Sequence, residues 1–254
     1  MPDLTWLDWA VLAGAVVAIG FAKTAVSGTG SLAVAGFALV LPARESTGTI
    51  LPLLILGDLF AIGFYRRHTD WGLIRRLLPW VGIGIVGGAA FVAAVDDTVM
   101  RRTIGLVLLV LTVGQLVTRG GRLTRWLGPP RDGAPSTGHR WAAAVAGVAA
   151  GFVTMVANAA GAVMTVYLLL SGLAMLQFLG TAAWFFFLVN VAKLPFSIGL
   201  GLVVPGSLLL DLVLAPLVAV GAFGGLALVR HMDEDQFEKA VLTLAALSSV
   251  PLLL

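Results

Sequence analysis

Apolar runs separated by short polar interruptions cover almost the whole chain, at about residues 9–26, 30–42, 47–65, 73–95 and 100–118 and again at 141–157, 160–172, 177–200, 206–229 and 236–254. Each run predicts a helix, and most approach the roughly 20 residues needed to cross a hydrocarbon layer about 30 Å thick. Two do not: 30–42 and 160–172, at about 13 residues each, are too short to cross unaided. Each short run follows a longer one after only a few residues, so each pair reads as a broken or hairpin-like helix unit. The polar stretch 119–140, RGGRLTRWLGPPRDGAPSTGHR, is dense in glycine, proline and arginine and reads as a solvated cytoplasmic linker. It divides the chain into a first transmembrane repeat, 1–118, and a second, 141–254, with five segments each. The fold class is all-α, a polytopic membrane protein.

Composition agrees. With 59% hydrophobic and 11% charged residues and a mean hydropathy of +1.01, the chain has more apolar surface than one soluble core could hide. No Asp, Glu, Lys or Arg occurs from Trp141 to Ala192, a window that must hold more than one helix. There is no cysteine, and His68, His139 and His231 lie in charged connections, which sets aside thiol chemistry and soft-metal sites. The pI near 9.8 comes from basic residues clustered between apolar runs, the pattern of membrane-protein loops rather than of a nucleic-acid surface. No cofactor and no nucleic-acid partner are expected; the expected partners are the lipid bilayer, a small anionic substrate and, as an admissible assembly, a second copy of the chain. The start, MPDLTWLDWA, has no basic segment of the kind that opens a cleaved signal peptide, so the first apolar run is expected to stay.

The two halves also match each other. An offset of 131 sets Ala15, Ala18, Gly20, Phe21, Gly30 and Leu39 on Ala146, Ala149, Gly151, Phe152, Gly161 and Leu170. With one more residue Gly48-Thr49 falls on Gly180-Thr181 and Asp58 on Asn190; an offset of 137 then pairs Gly84, Gly87 and Gly88 with Gly221, Gly224 and Gly225. An internal duplication explains these co-linear matches better than shared composition does.

If every segment reverses direction, one face receives eleven basic residues: Arg66, Arg67, Arg75, Arg76, Arg119, Arg122, Arg125, Arg131, Arg140, Arg230 and Lys239. The other receives three, Arg44, Arg101 and Arg102. The positive-inside rule makes the first face cytoplasmic and predicts both termini outside, in a bacterial-type cytoplasmic membrane. Because five is odd, the second half enters from the opposite side. The predicted architecture is therefore two inverted five-segment repeats, common among secondary transporters whose sites lie at the repeat interface.

The stretch FAKTAVSGTGSLAV, Phe21 to Val34, places Lys23 and the break Ser27-Gly28-Thr29-Gly30 inside this apolar unit, and the second half answers with Asn158-Ala159-Ala160-Gly161. A helix broken in the membrane leaves backbone groups that protein, water or a ligand must satisfy. The free N–H groups and positive dipole end of the short helix that follows suit an anion. The glycines at 84–88 and 221–225 read instead as packing residues that let helices approach closely.

At these residues the chain resembles the TauE/SafE family of membrane anion transporters, also called sulfite exporters: a duplicated glycine-containing break, a short apolar helix, and a G-T step opening the next helix, here Gly48-Thr49 and Gly180-Thr181. The resemblance covers nearly the whole chain and implies movement of small sulfur-containing or organic anions such as sulfite, sulfoacetate and related sulfonates. It adds Thr49 and Thr181 to the candidate substrate-binding residues.

The other intramembrane polar groups are few. Asp58 is matched by its neutral isostere Asn190, and Lys193 lies one helical turn beyond Asn190 on the same face. Lys193 reads either as a substrate cation or as a side chain reaching the interface. Asp58 reads as the resting counter-ion of a lysine or as a proton-coupling residue, and Asp211 as an interfacial or a helix-start charge. With one clearly buried carboxylate and no histidine in a span, an acid–base pair or metal triad is hard to assemble, and no phosphate-binding loop is present. The chain is therefore not expected to be an enzyme. An ion- or proton-coupled secondary transporter of small anions is the favoured reading; a passive channel and a scaffold or intramembrane enzyme are the alternatives.

Overall fold

The computed structural model describes residues 4–25, 30–118 and 137–233, together with 236, 237 and 240. Within them all regular structure is helical: α1 (Trp6–Thr24), α2 (Gly30–Val40), α3 (Ala43–Tyr65, closed by a 3-10 turn, Arg66–His68), α4 (Trp71–Ala94), α5 (Asp97–Thr118), α6 (Thr137–Ala157), α7 (Ala160–Leu170), α8 (Met175–Gly199) and α9 (Pro205–Val229). Nine of the ten predicted segments are these helices; the tenth, 236–254, lies almost wholly outside the described residues. So does most of the predicted linker, although α6 begins at Thr137, inside its last turn. Five elements are long and apolar enough to span a membrane: Trp6–Thr24, Ala43–His68, Trp71–Ala94, Met175–Gly199 and Pro205–Val229. As hydropathy indicated, α2 and α7 are short, 11 residues each, or about 16 Å at 1.5 Å per residue.

Helix ends follow local chemistry. Thr5 and Asp8 form a reciprocal capping box at the start of α1, and Asp70 and Asp96 accept from the backbone N–H groups of Leu73 and Val99 to open α4 and α5. Arg44, at the start of α3, donates to the last carbonyls of α4, Val92 at 2.7 Å and Val95 at 2.9 Å, while Asp97 accepts from the Arg44 backbone at 3.0 Å. A cation on a helix C-terminus is favoured by the dipole, and here it ties the α2–α3 joint to the α4–α5 turn.

The most extensive interhelical contacts join α4 to α6 and α1 to α9, so the first helix of each half packs on the fourth helix of the other; α3 and α8 make the next largest contact. Glycine makes this proximity feasible. A Cβ at Gly20 would overlap the Val218 carbonyl, and one at Gly221 the Val17 carbonyl; a Cβ at Gly151 would overlap the Val81 carbonyl, and one at Gly84 the Val148 carbonyl. These contacts are reciprocal at the sequence offsets of 131 and 137, and Pro79 in α4 and Pro216 in α9 share the second offset. Gly48 against the Leu202 carbonyl and Gly180 against the Tyr65 carbonyl repeat the pattern at the ends of α3 and α8. The glycine clusters therefore do pack, with two exceptions: Gly87 and Gly224 face open space.

Since no hydrophobic drive favours helix association over lipid contact, these interfaces depend on close van der Waals fit. Gly84→Leu or Gly221→Leu should lower stability by about 3 kcal/mol or prevent folding. Gly87→Ala should leave it near wild type. Thermal unfolding and size-exclusion profiles in detergent distinguish these outcomes.

Candidate functional site

The antiparallel helices α3 and α8 cross where Asp58 meets Asn190. Asn190 Nδ2 donates to Asp58 Oδ2 at 2.6 Å, and the other oxygen, Oδ1, lies 2.7 Å from Lys23 Nζ. Gly57 clears the way for the lysine stem: a Cβ there would stand 3.0 Å from Lys23 Cγ. The ammonium also sits 4.5 Å from the centroid of the Phe186 ring, on its face, a favourable cation–π position. Asp58 is fully buried and the Lys23 side chain is 11% exposed, so this charge-assisted contact holds both groups away from lipid. Of the two roles open for Asp58, the geometry shows the lysine counter-ion.

The second helix break is built on Asn158, which turns the chain between α6 and α7 with φ 50, a left-handed conformation that asparagine tolerates better than most residues. Its side chain is held from both ends. Nδ2 donates to the Thr47 carbonyl at 3.0 Å, and Oδ1 accepts from Lys193 Nζ. Lys193, 1% exposed, also donates to the Thr154 carbonyl at 3.0 Å and to Thr154 Oγ1 at 3.1 Å. It has three oxygen partners and no carboxylate, and it does not reach the interface.

Between the two breaks is a cavity of about 30 Å³. Lys23 of α1, Gly30 and Ser31 at the start of α2, Thr154 of α6, Asn158, Gly161 at the start of α7, and Phe186 and Asn190 of α8 line it. The structure thus brings together Lys23, Gly30, Asn158, Gly161 and Asn190 from both halves, with Asp58 and Lys193 directly behind the wall. Two helix starts line one small space together with an ammonium and two side-chain amides. Groups of these kinds can bind an anion's oxygen atoms.

Other sequence candidates fall elsewhere. Ser27, Gly28 and Thr29 lie outside the described residues. Thr49 is buried in α3 with no hydrogen-bond partner among the described residues and does not line the cavity. Thr181 accepts from the Asp70 backbone at 2.9 Å, and Thr69 Oγ1 donates to the Gly180 carbonyl at 3.2 Å, so this G-T step fastens the α3–α4 turn. Asp211 is buried within the bundle, 5% exposed and six residues into α9.

Thr154 and Phe186 were missed by sequence reasoning. The 131 offset places Thr154 on Lys23, a signal present in the duplication but carried by unlike residues. Phe186 gives no signal beyond an aromatic residue in an apolar helix.

A multi-pass helical membrane protein with two short helices meeting at a small, mostly apolar cavity that a few polar groups enter is the class defined by this arrangement. The family model for the sulfite exporter TauE/SafE matches residues 12–252, and the chain belongs to that family of transporters. No curated protein and no solved structure matches it.

If Lys193 holds the second break, Lys193→Met should cost on the order of 1–3 kcal/mol by leaving Asn158 Oδ1 without its donor. Asn158→Gly should melt above Asn158→Ala, since only glycine takes φ 50 without strain. Thermal unfolding of the three variants checks both outcomes.

Proposed function

We propose that the chain is a secondary transporter that moves small organic or sulfur-containing anions, such as sulfite, sulfoacetate or related sulfonates, across a bacterial-type cytoplasmic membrane, coupled to a proton or ion gradient. The observation that carries this reading is the cavity lined by Lys23 and by the starts of α2 and α7. An incoming anion competes with Asp58 for the ammonium while the N–H groups of α2 and α7 meet its remaining oxygens. Only a species with several acceptor oxygens uses all these donors at once, which fits sulfite and sulfonates.

The two halves are read as inverted repeats, in support of which the first helix of each half packs on the fourth of the other through reciprocal glycines. By their contacts the helices group into two bodies, α1–α2–α9 and α4–α6–α7, with α3 packed on the first. Rocking one body against the other opens the cavity to one face and then to the opposite one. The basic residues place both termini outside. With single cysteines in this cysteine-free chain, an impermeant reagent should label Thr98→Cys from outside and His231→Cys only from the cytoplasmic face; the reverse pattern overturns the orientation.

The functional test is counterflow of labelled sulfite or sulfoacetate in proteoliposomes. A carrier gives a transient overshoot, and a channel or scaffold gives none. Lys23→Met should reduce uptake and anion affinity roughly tenfold to a hundredfold, the loss expected for a hydrogen bond to a charged group. Gly30→Leu, which fills the cavity mouth, should abolish transport in inserted protein. Wild-type values for both variants remove the cavity from the transport path.

A further inference from the structure

Asp211 takes no part in the cavity. It lies on the face of α9 that also buries Ser207, Leu210, Leu214 and Val218, and among the described residues neither of its carboxylate oxygens has a hydrogen-bond partner. The helices packed most extensively on α9 are α1 and α3. Their titratable side chains are Asp8, Lys23, Arg44, Glu45, Asp58 and Tyr65. Asp8 bonds to Thr5 at 2.7 Å, Lys23 and Asp58 hold each other, Arg44 is spent on the end of α4, and Tyr65 donates to the Thr24 carbonyl at 2.8 Å. None of them, Glu45 included, forms an ion pair or hydrogen bond with Asp211. Even Ser207, one turn away, directs its hydroxyl to the Val204 carbonyl at 2.8 Å.

An ionised carboxylate in this setting has lost its hydration and gained nothing in exchange, whereas a neutral carboxyl group loses far less. A metal ion does not resolve the deficit, because a hard cation needs several oxygen ligands and no polar group is bonded here. A proton resolves it with a single bond. The position suits exchange with water: six residues from the start of α9 is about 9 Å, close to the face on which the positive-inside rule puts the termini.

We propose that Asp211 is a proton-binding site that couples transport to the proton gradient. Its carboxyl group holds a proton in the conformation described. The O–H bond breaks, and the proton passes to water, when movement of α9 during the cycle hydrates the side chain. The coupling part of this proposal rests on the transporter reading; the protonation part does not. It moves the coupling role away from Asp58, whose two oxygens are committed to Lys23 and Asn190.

The test is Asp211→Asn, an isostere that cannot ionise, in full-length protein. Infrared spectra of the wild type at neutral pH should contain the C=O stretch of a protonated carboxyl, shifted in D2O and missing in Asp211→Asn; identical spectra overturn the proposal. In proteoliposomes, Asp211→Asn should keep near wild-type counterflow of whichever of sulfite or sulfoacetate the wild type exchanges, while accumulation driven by an imposed pH gradient falls to the passive level. Asp211→Glu should retain accumulation. Wild-type accumulation in Asp211→Asn, or joint loss of counterflow and accumulation, overturns the coupling role. A wild type with no counterflow sinks the transporter reading and leaves the infrared result to judge Asp211 alone.

Discussion

A helix that stops inside hydrocarbon must hand its unpaired backbone groups to another partner, and much of this molecule is arranged around that constraint. At the second break the handover is visible. Asn158 turns the chain in a left-handed conformation, Thr47 from the other half takes one end of its amide, and Lys193 takes the other end together with the Thr154 carbonyl. A lysine buried to 1% exposure is costly in lipid, about 2.5–3.5 kcal/mol on insertion scales, and three oxygen ligands offset that cost. The polar residues that look expensive in the sequence are thus the groups that let α6 end and α7 begin where they do. The cavity follows, because two helix starts brought together cannot fill the space between them with side chains when glycine stands at Gly30 and Gly161.

The duplicated halves are alike in packing and unlike in charge. Gly20, Gly84, Gly151 and Gly221 meet equivalent carbonyls, whereas Lys23 is matched by Thr154 and Asp58 by Asn190. The divergence has a physical logic. The α3–α8 crossing puts Asp58 and Asn190 within 2.6 Å of each other, and two carboxylates at that distance would repel, while an amide donates to the acid. Likewise Lys193 bonds to Thr154, the counterpart of Lys23; a lysine at that position would set two ammonium groups together. The charged pair, Lys23 with Asp58, therefore lies within the first half, and the second half supplies neutral partners where symmetry would have produced like charges.

Most of the fold was legible in the sequence because hydropathy records it directly: segment limits at 30, 65, 157, 160 and 229 fall within a few residues of helix ends. The short helices were legible from length, and the glycine pairings from the repeat offset. The site was legible in part. Lys23, Asp58, Asn190 and Lys193 stand out as polar residues in apolar runs, but which lysine pairs with Asp58 depends on the α1–α3 approach at Gly57, a tertiary fact with no local signature. Thr49 and Thr181 show the opposite failing. A G-T step suggested a ligand contact, and for Thr181 the structure uses it to hold a turn. Asp211 was read from its nearness to a helix start, and the burial of its face of α9 has no signature in the sequence.

Two kinds of contact hold this bundle, and they differ in how they yield. Along α1–α9 and α4–α6, backbones approach so closely at glycines that sliding one helix past its partner would drive Cα atoms into carbonyls, which opposes sliding within each pair. Across the centre, the ties between Lys23, Asp58 and Asn190 and those of Lys193 with Thr154 and Asn158 are hydrogen bonds, which water or an anion's oxygens replace one for one. In the proposed cycle, motion is therefore confined to the polar surface through the cavity. An anion that takes Lys23 from Asp58 leaves the acid bonded to Asn190 alone, and its binding is felt directly at the α3–α8 crossing around which the two bodies turn.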